Sequence, residues 1–294
     1  MRTLWFRFEA ALVRAGLRVL HALGPARASD LSGAIARGVG PLLPVSRVAD
    51  ANLRLAMPEL DGSARHRIVG GAWEMLGRTV GELPHLARLG RTPSGPGWEI
   101  VNEAIVRELA ARGGPAIFFS GHIGNWEMLP KVAAEYGIQL SSVYRAADNP
   151  LVDAMIGDLR RRATGPGLRL FPKGAAGARA AYQLMAQGGI LGLLMDQKLN
   201  DGIAVDFFGR PAMTSPSLAI LALRFRCPVI PCHVQRLGPA RLRLIVEPPL
   251  ALPDSGDREA DIVSLTRRVN AHLERWIRER PESWLWMHRR WPKQ

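Results

Sequence analysis

Cysteine is nearly missing: Cys227 and Cys232 are the only two in 294 residues, and both lie in one apolar segment. On a strand their spacing sends them to opposite faces, so they are not expected to pair. So few thiols exclude a disulfide scaffold, and Cys232-His233 offers too few ligands for a structural zinc. The scarcity fits a reducing compartment. Lysine is almost as rare, confined to Lys131, Lys173, Lys198 and Lys293, and acidic residues fall short of basic ones, 26 against 39. A GC-rich coding sequence would favour arginine over lysine, but it does not create the formal charge of +13. That charge favours anionic partners: nucleic acid, anionic lipid, a phosphorylated substrate or an acidic carrier protein, all of which guanidinium groups grip well. No Gly-x-x-x-x-Gly-Lys is present, which argues against nucleotide hydrolysis, and no Gly-x-Ser-x-Gly elbow, which argues against a serine hydrolase.

Long apolar runs are also lacking. No stretch is a clean membrane span, and the first residues do not read as a secretory signal because Arg7, Arg14 and Arg18 interrupt them. Wound as a helix, these arginines and His21 share a sector of roughly 60°, while Trp5, Phe8, Leu12, Leu17 and Leu20 populate the rest. Residues 1–24 are therefore expected to be a basic amphipathic helix lying on an anionic membrane surface, ended by Gly24-Pro25. Docking on the rest of the chain is the competing reading.

Residues 25–92 read as a helical subdomain, with Ser29-Asp30 as a cap and breaks at Gly40-Pro41, Pro58 and Asp61-Gly62. Within it Ile68, Trp73, Leu76, Val80 and Leu83 are expected to form a core-facing stripe. Pro93-Ser94-Gly95-Pro96-Gly97 is the clearest linker. Strand and helix patterns then alternate over residues 98–294, which predicts an α/β fold with a mostly parallel central sheet flanked by helices and preceded by the helical extension. The run Gly189–Met195 lacks alternation and is expected to be a strand buried on both faces, with Asp196-Gln197 at its carboxyl end. Arg160-Arg161-Arg162 reads as a solvated helix face, and Lys173 before a helix as a position for phosphate.

The chain is organised around Ser120–Glu127, which follows the apolar run Pro115–Phe119 and precedes an amphipathic one. Strand, tight loop and helix would deliver His122 to the carboxyl edge of the sheet, with Glu127 returning from the first helical turn to hydrogen-bond the ring. A carboxylate on one imidazole nitrogen leaves the other free to take a hydroxyl proton during attack on an acyl group. Backbone amides of the Gly124-Asn125 turn, or Arg145, are candidate donors to the oxyanion.

In this context the chain resembles the bacterial lipid A biosynthesis acyltransferases, relatives of the glycerol-phosphate acyltransferases. The resemblance rests on Gly121-His122-x-Gly124-Asn125-Trp126-Glu127, Val143-Tyr144-Arg145, Asp196-Gln197, Phe207-Phe208-Gly209, Pro228-Val229-Ile230-Pro231 and Trp286-x-His288-Arg289-Arg290, in family order. It implies a glycerol-phosphate-acyltransferase-like fold and an O-acyltransferase at the cytoplasmic face of the inner membrane. That enzyme moves a fatty acyl chain from acyl carrier protein or coenzyme A to a hydroxyl of an anionic glycolipid. His122 and Glu127 take the family's catalytic positions, Asp196 and Gln197 fall in its substrate pocket, and Arg289 or Arg290 would meet acceptor phosphate or the carrier. No metal, cofactor or nucleic acid is implied, the thioester being a co-substrate. The acceptor stays open among a lipid A precursor, a phosphatidylinositol mannoside, an aminolipid and a lysophospholipid. A non-enzymatic basic module that binds membrane or nucleic acid is supported by charge alone.

Overall fold

The computed structural model describes residues 2–292. Four helices come first: α1 (Arg2–Leu23), α2 (Pro25–Val39), α3 (Ser46–Ala56) and α4 (Gly62–Glu82). A short 3-10 segment, Gly40–Leu42, follows α2 at the expected Gly-Pro break, and another, Leu83–Arg88, follows α4. The start of α4 is fixed by Asp61, whose carboxylate accepts from the Ala64 amide at 2.6 Å. Ser29 is not a cap. It lies inside α2, which Pro25 opens after Gly24, and its hydroxyl donates to buried Glu82 at 2.7 Å.

The remainder alternates: β1 (Gly97–Val101), α5 (Glu103–Arg112), β2 (Ala116–Ser120), α6 (Met128–Glu135), β3 (Leu140–Tyr144), α7 (Pro150–Thr164), β4 (Leu170–Pro172), α8 (Ala175–Ala186) and β5 (Ile190–Leu194). The ribbon β6 (Ile203–Phe207) and β7 (Arg210–Thr214) follows, then α9 (Ser217–Phe225), β8 (Val229–Gly238), β9 (Arg241–Val246) and α10 (Arg258–Glu279). Seven strands make one sheet in the order β1-β9-β8-β2-β5-β3-β4, antiparallel only between β8 and β9. The alternation had implied this mostly parallel, helix-flanked α/β architecture. The all-buried strand β2 lies at its centre beside β5, so the residues that follow both strands emerge into one crevice.

Two expectations hold only in part, each for its own reason. On α4 the buried positions include Val69, Ala72, Gly77, Thr79 and Gly81, while Val80 is 43% exposed. A Cβ on Gly77 or Gly81 would stand 2.3 or 2.4 Å from the Ser32 and Ala28 carbonyl oxygens of α2, so the two helices meet backbone to backbone. Ile68, Trp73 and Leu83 still pack half-buried against the core, but the tightest contact of α4 is made by its small residues. On β5, Leu191 and Leu193 are buried, but Ile190, Gly192 and Leu194 are only partly so, because that face opens onto a cleft.

Core continuity runs across the helical extension: Leu53 and Val69 share one apolar cluster with Ile117 and Phe119 of β2 and with Trp276, Trp284 and Trp286. The last two rings are fully buried, each contributing on the order of 2–3 kcal/mol by removal from water. Helix α1 docks through Ala10, with Asn149 donating to the Phe6 carbonyl and to Glu9 at 2.9 Å each. Its outer side leaves Leu4, Trp5, Phe8 and Leu12 more than half exposed. Docking on the rest of the chain thus accounts for one stripe of α1, and another stripe stays open.

Candidate active site

His122 stands in the loop after β2, and that loop is held from three directions. Gly124 adopts φ +59°, and a Cβ there would stand 2.1 Å from the Val234 carbonyl oxygen, so the loop presses against β8 where only glycine fits. Its amide donates to the Ser283 carbonyl at 2.9 Å, while the Leu285 amide donates to the His122 carbonyl at 3.1 Å. Asn125 is fully buried and donates through Nδ2 to Glu82 at 2.6 Å. Glu82, itself fully buried, also accepts from Ser29, the Ala240 amide and Arg236. A buried carboxylate so fully paired is an anchor.

Of the donors expected in the Gly124-Asn125 turn, the Gly124 amide is already bonded to Ser283, and the Asn125 side chain is committed to the Glu82 cluster.

The partner of His122 also differs from the sequence expectation. Nδ1 lies 2.9 Å from Asp196 Oδ1, and the His122 amide donates to Asp196 Oδ2 at 3.0 Å. Trp284 Nε1 donates to the same Oδ2 at 2.8 Å. Burial alone would raise the Asp196 carboxyl, but the His122 imidazole beside it, its hydrogen bond, His288 and Trp284 outweigh this and hold it below the ordinary carboxylate range. An ionised Asp196 accepts a hydrogen bond from Nδ1–H, which leaves Nε2 with its lone pair. Asp196 is fully buried, so it orients the ring and does not touch substrate as expected. The edge-to-face ring of Trp126, 5.0 Å away, confines the imidazole from another side.

Glu127 instead takes a two-pronged pair from Arg160, Nη2 to Oε1 at 2.6 Å and Nε to Oε2 at 2.8 Å. Arg160 had read as part of a solvated face. A run of three arginines carries no signal of which one turns inward, but only Arg160 of the three lines the cleft beside His122 and Glu127.

That cleft measures about 380 Å³ and runs from His122 along one face of β2, β5 and β3 under α6 and α7. Its walls are largely apolar, from Phe118, Leu129, Leu140 and Leu194, with cations at the polar end: Arg145, Arg160 and Lys173. Arg145 has a 77% exposed side chain and its nearest acid, Asp148, at 3.8 Å. Lys173 Nζ donates to Gln197 Oε1 at 2.9 Å, which places Gln197 on the cleft as expected. The C-terminal arginines are not there. Arg289 is exposed and outside the cleft lining, and Arg290 is fully buried, donating to the Met213 carbonyl and the Thr214 hydroxyl over the Phe207 ring. Arg290 ties the tail to β7 and has no room for a phosphate. The tail itself does return to the site, through Trp284 and Leu285.

An apolar cleft closed at one end by an oriented imidazole and cations suits transfer of a long acyl chain to a hydroxyl. Comparison with known proteins agrees with that chemistry. A model of the family described as bacterial lipid A biosynthesis acyltransferase matches residues 5–293. The chain is 27% identical over 246 residues to lipid A biosynthesis acyltransferase 1 of Shigella flexneri, and 27% identical over 244 residues to the lipid A biosynthesis myristoyltransferase of Escherichia coli strain K12. Each match covers 82% of this chain and 73% of the relative.

Proposed function

Since the chain belongs to the bacterial lipid A biosynthesis acyltransferases and is an O-acyltransferase, we propose that His122 is its general base, oriented by Asp196. The hydroxyl attacked belongs to an anionic glycolipid of the lipid A precursor type. The observation that carries this reading is the His122–Asp196 pair, 2.9 Å long, at the polar end of an apolar cleft.

Nε2 takes the acceptor's proton as its oxygen bonds to the thioester carbonyl carbon. The tetrahedral intermediate then collapses, the carbon–sulfur bond breaks, and the departing thiolate receives the proton from the imidazolium. Asp196 stabilises the charged ring throughout, and no acyl-enzyme is needed. Arg145, exposed at the cleft and weakly paired, is the group that meets negative charge there, either the oxyanion or a substrate phosphate. The Glu127–Arg160 pair shapes the wall between imidazole and lipid.

The acyl donor is a thioester of acyl carrier protein or coenzyme A. The +13 charge favours the acidic surface of the carrier protein. The enzyme works at the cytoplasmic face of the inner membrane, lying on it through the open stripe of α1. Supporting this are the exposed Leu4, Trp5, Phe8 and Leu12 on a helix that also carries Arg7, Arg14 and Arg18. Among the described residues no helix is long and apolar enough to cross a membrane.

The test is incubation of purified protein with acyl carrier protein or coenzyme A thioesters and a lipid A precursor, read by mass spectrometry. An acylated glycolipid is expected from the wild type, and a loss on the order of 10²- to 10⁴-fold from His122→Ala. Near-normal turnover by that variant would overturn the assignment.

A further inference from the structure

β5 runs through the middle of the sheet, where a glycine costs backbone entropy and leaves a gap in side-chain packing. Gly192 nevertheless stands at its centre, with a φ outside the left-handed region. Backbone conformation therefore does not demand glycine here, and the reason must be space. Gly192 lies in register with Phe118 on one side and Ser142 on the other, in a row that Leu170 of β4 continues. All four residues line the cleft, so the missing side chain opens its floor. A Cβ at Gly192 would stand 2.9 and 3.0 Å from Leu140 Cγ and Cδ2, and 3.2 Å from Ser142 Oγ. Leu140 pairs with Ile190, two residues deeper along β5 than Gly192 and farther from His122.

We propose that Gly192 and Leu140 together set the length of acyl chain that the cleft accepts, Gly192 by leaving the passage open and Leu140 by closing its deep end. The proposal rests on the acyl-transfer reading above. The Ser120–Leu194 row lies nearest the catalytic loop, and the Phe118–Gly192 row is two residues deeper, about 7 Å along the strand. A chain whose carbonyl sits at His122 must cross the first row and then Gly192 before it meets Leu140. A side chain at Gly192 would cut off the methylenes beyond it, and a shortened Leu140 would extend the run. Each methylene that can no longer be buried weakens binding about fourfold.

Full-length Gly192→Ala, Gly192→Leu and Leu140→Ala proteins decide the matter. Displacement of a fluorescent fatty acid by saturated fatty acids from decanoate to palmitate is read beside the chain-length profile of transfer. Gly192→Leu is expected to move the tightest binder and the best donor to shorter chains, Gly192→Ala to do so less, and Leu140→Ala to move both to longer chains. Circular dichroism and the thermal midpoint verify that each variant is folded. Where Gly192→Leu does not fold, the other two suffice, because a merely structural role would not shift them in opposite directions. Parallel profiles in folded variants, or shifts of the same sign, overturn the proposal. A wild type that transfers acyl chains with no length preference overturns it too, while leaving the transferase reading intact. Fatty-acid binding with the expected shifts, but without transfer to any glycolipid, supports the length device and refutes the transferase reading.

Discussion

The carboxylate of Asp196 holds His122 Nδ1 at 2.9 Å across 74 positions of sequence, and the same carboxylate accepts the His122 amide and the Trp284 indole. Replacing it with its amide tests orientation separately from shape. Asp196→Asn should stay folded and lose on the order of 10³- to 10⁴-fold in kcat, because an amide no longer selects the Nδ1-protonated tautomer or stabilises the imidazolium. Combined with His122→Ala, it should add little further loss, since residues acting as one unit are not additive. Single-turnover assays of both variants and the double variant make the measurement.

The Glu127–Arg160 pair leads to a different expectation. Glu127→Ala leaves a guanidinium with a three-quarters buried side chain unpaired, at a cost of roughly 3 kcal/mol, toward the low end because part of Arg160 still meets water. Removing both charges in Glu127→Ala with Arg160→Met should restore much of that stability in urea unfolding. Were Glu127 the direct partner of the imidazole, the double variant would recover stability without changing the tautomer problem. As a wall residue it should instead recover part of kcat as well.

These two carboxylates also show where the sequence is legible. The run Pro115–Phe119 followed by glycines identifies β2 and the histidine in the loop after it, and the apolar run ending at Asp196 identifies the neighbouring strand, because strands in the middle of a parallel sheet are written as continuous apolar runs even where, as in β5, one face opens onto the cleft. Proximity in sequence pointed to Glu127 as the histidine's partner; proximity in space supplies Asp196, a consequence of strand order that local pattern does not encode. The same limit applies to Arg160 and Arg290. Identical side chains in basic runs end up in the cleft or sealed under Phe207 according to tertiary packing. Helix α4 defeats the apolar-stripe rule because its contact with α2 is made by glycine and alanine.

Arg290 and Arg145 should separate cleanly in kinetics. Arg290→Met removes two charge-assisted hydrogen bonds from the interior, although the Met213 carbonyl keeps the Leu199 amide and the Thr214 hydroxyl keeps Ala212 and Asn270, and should cost about 1–3 kcal/mol in stability, with KM for the glycolipid unchanged in the folded fraction. Arg145→Ala, with its side chain largely in solvent, should leave the thermal midpoint within about a degree of wild type and raise KM or lower kcat. The comparison needs initial rates over a range of acceptor concentrations, together with a melt of each protein.

His233 and Glu247 should each contribute a stage of acid sensitivity, beside His85 and His288 in the upper range and Asp196 and Glu103 in the lower, all of which the fold also holds below their ordinary values. His233 is 4% exposed and its Nδ1 has no partner among the described residues. Burial pushes its imidazole down to about 4 from 6.5. Because the folded state resists that proton more than the unfolded state does, the stability His233 contributes is complete above pH 6.5 and drains as pH falls toward 4. For Glu247, burial would raise the carboxyl, but hydrogen bonds from His272, Arg275 and Trp276 overcome it and bring it down to about 2 from 4.5. Its contribution is complete above pH 4.5 and is lost on the way to pH 2. Unfolding free energies from urea titrations at pH 8 to pH 3 should fall with a slope approaching about 1.4 kcal/mol per pH unit for each proton taken up. His233→Phe, which keeps the ring packed on Trp276 at a present centroid distance of 4.5 Å, should flatten only the upper stage. Glu247→Gln should lower stability at neutral pH and flatten only the lower one. An upper stage as steep in His233→Phe as in the wild type would assign it to His85 or His288, whose imidazoles burial also pushes down.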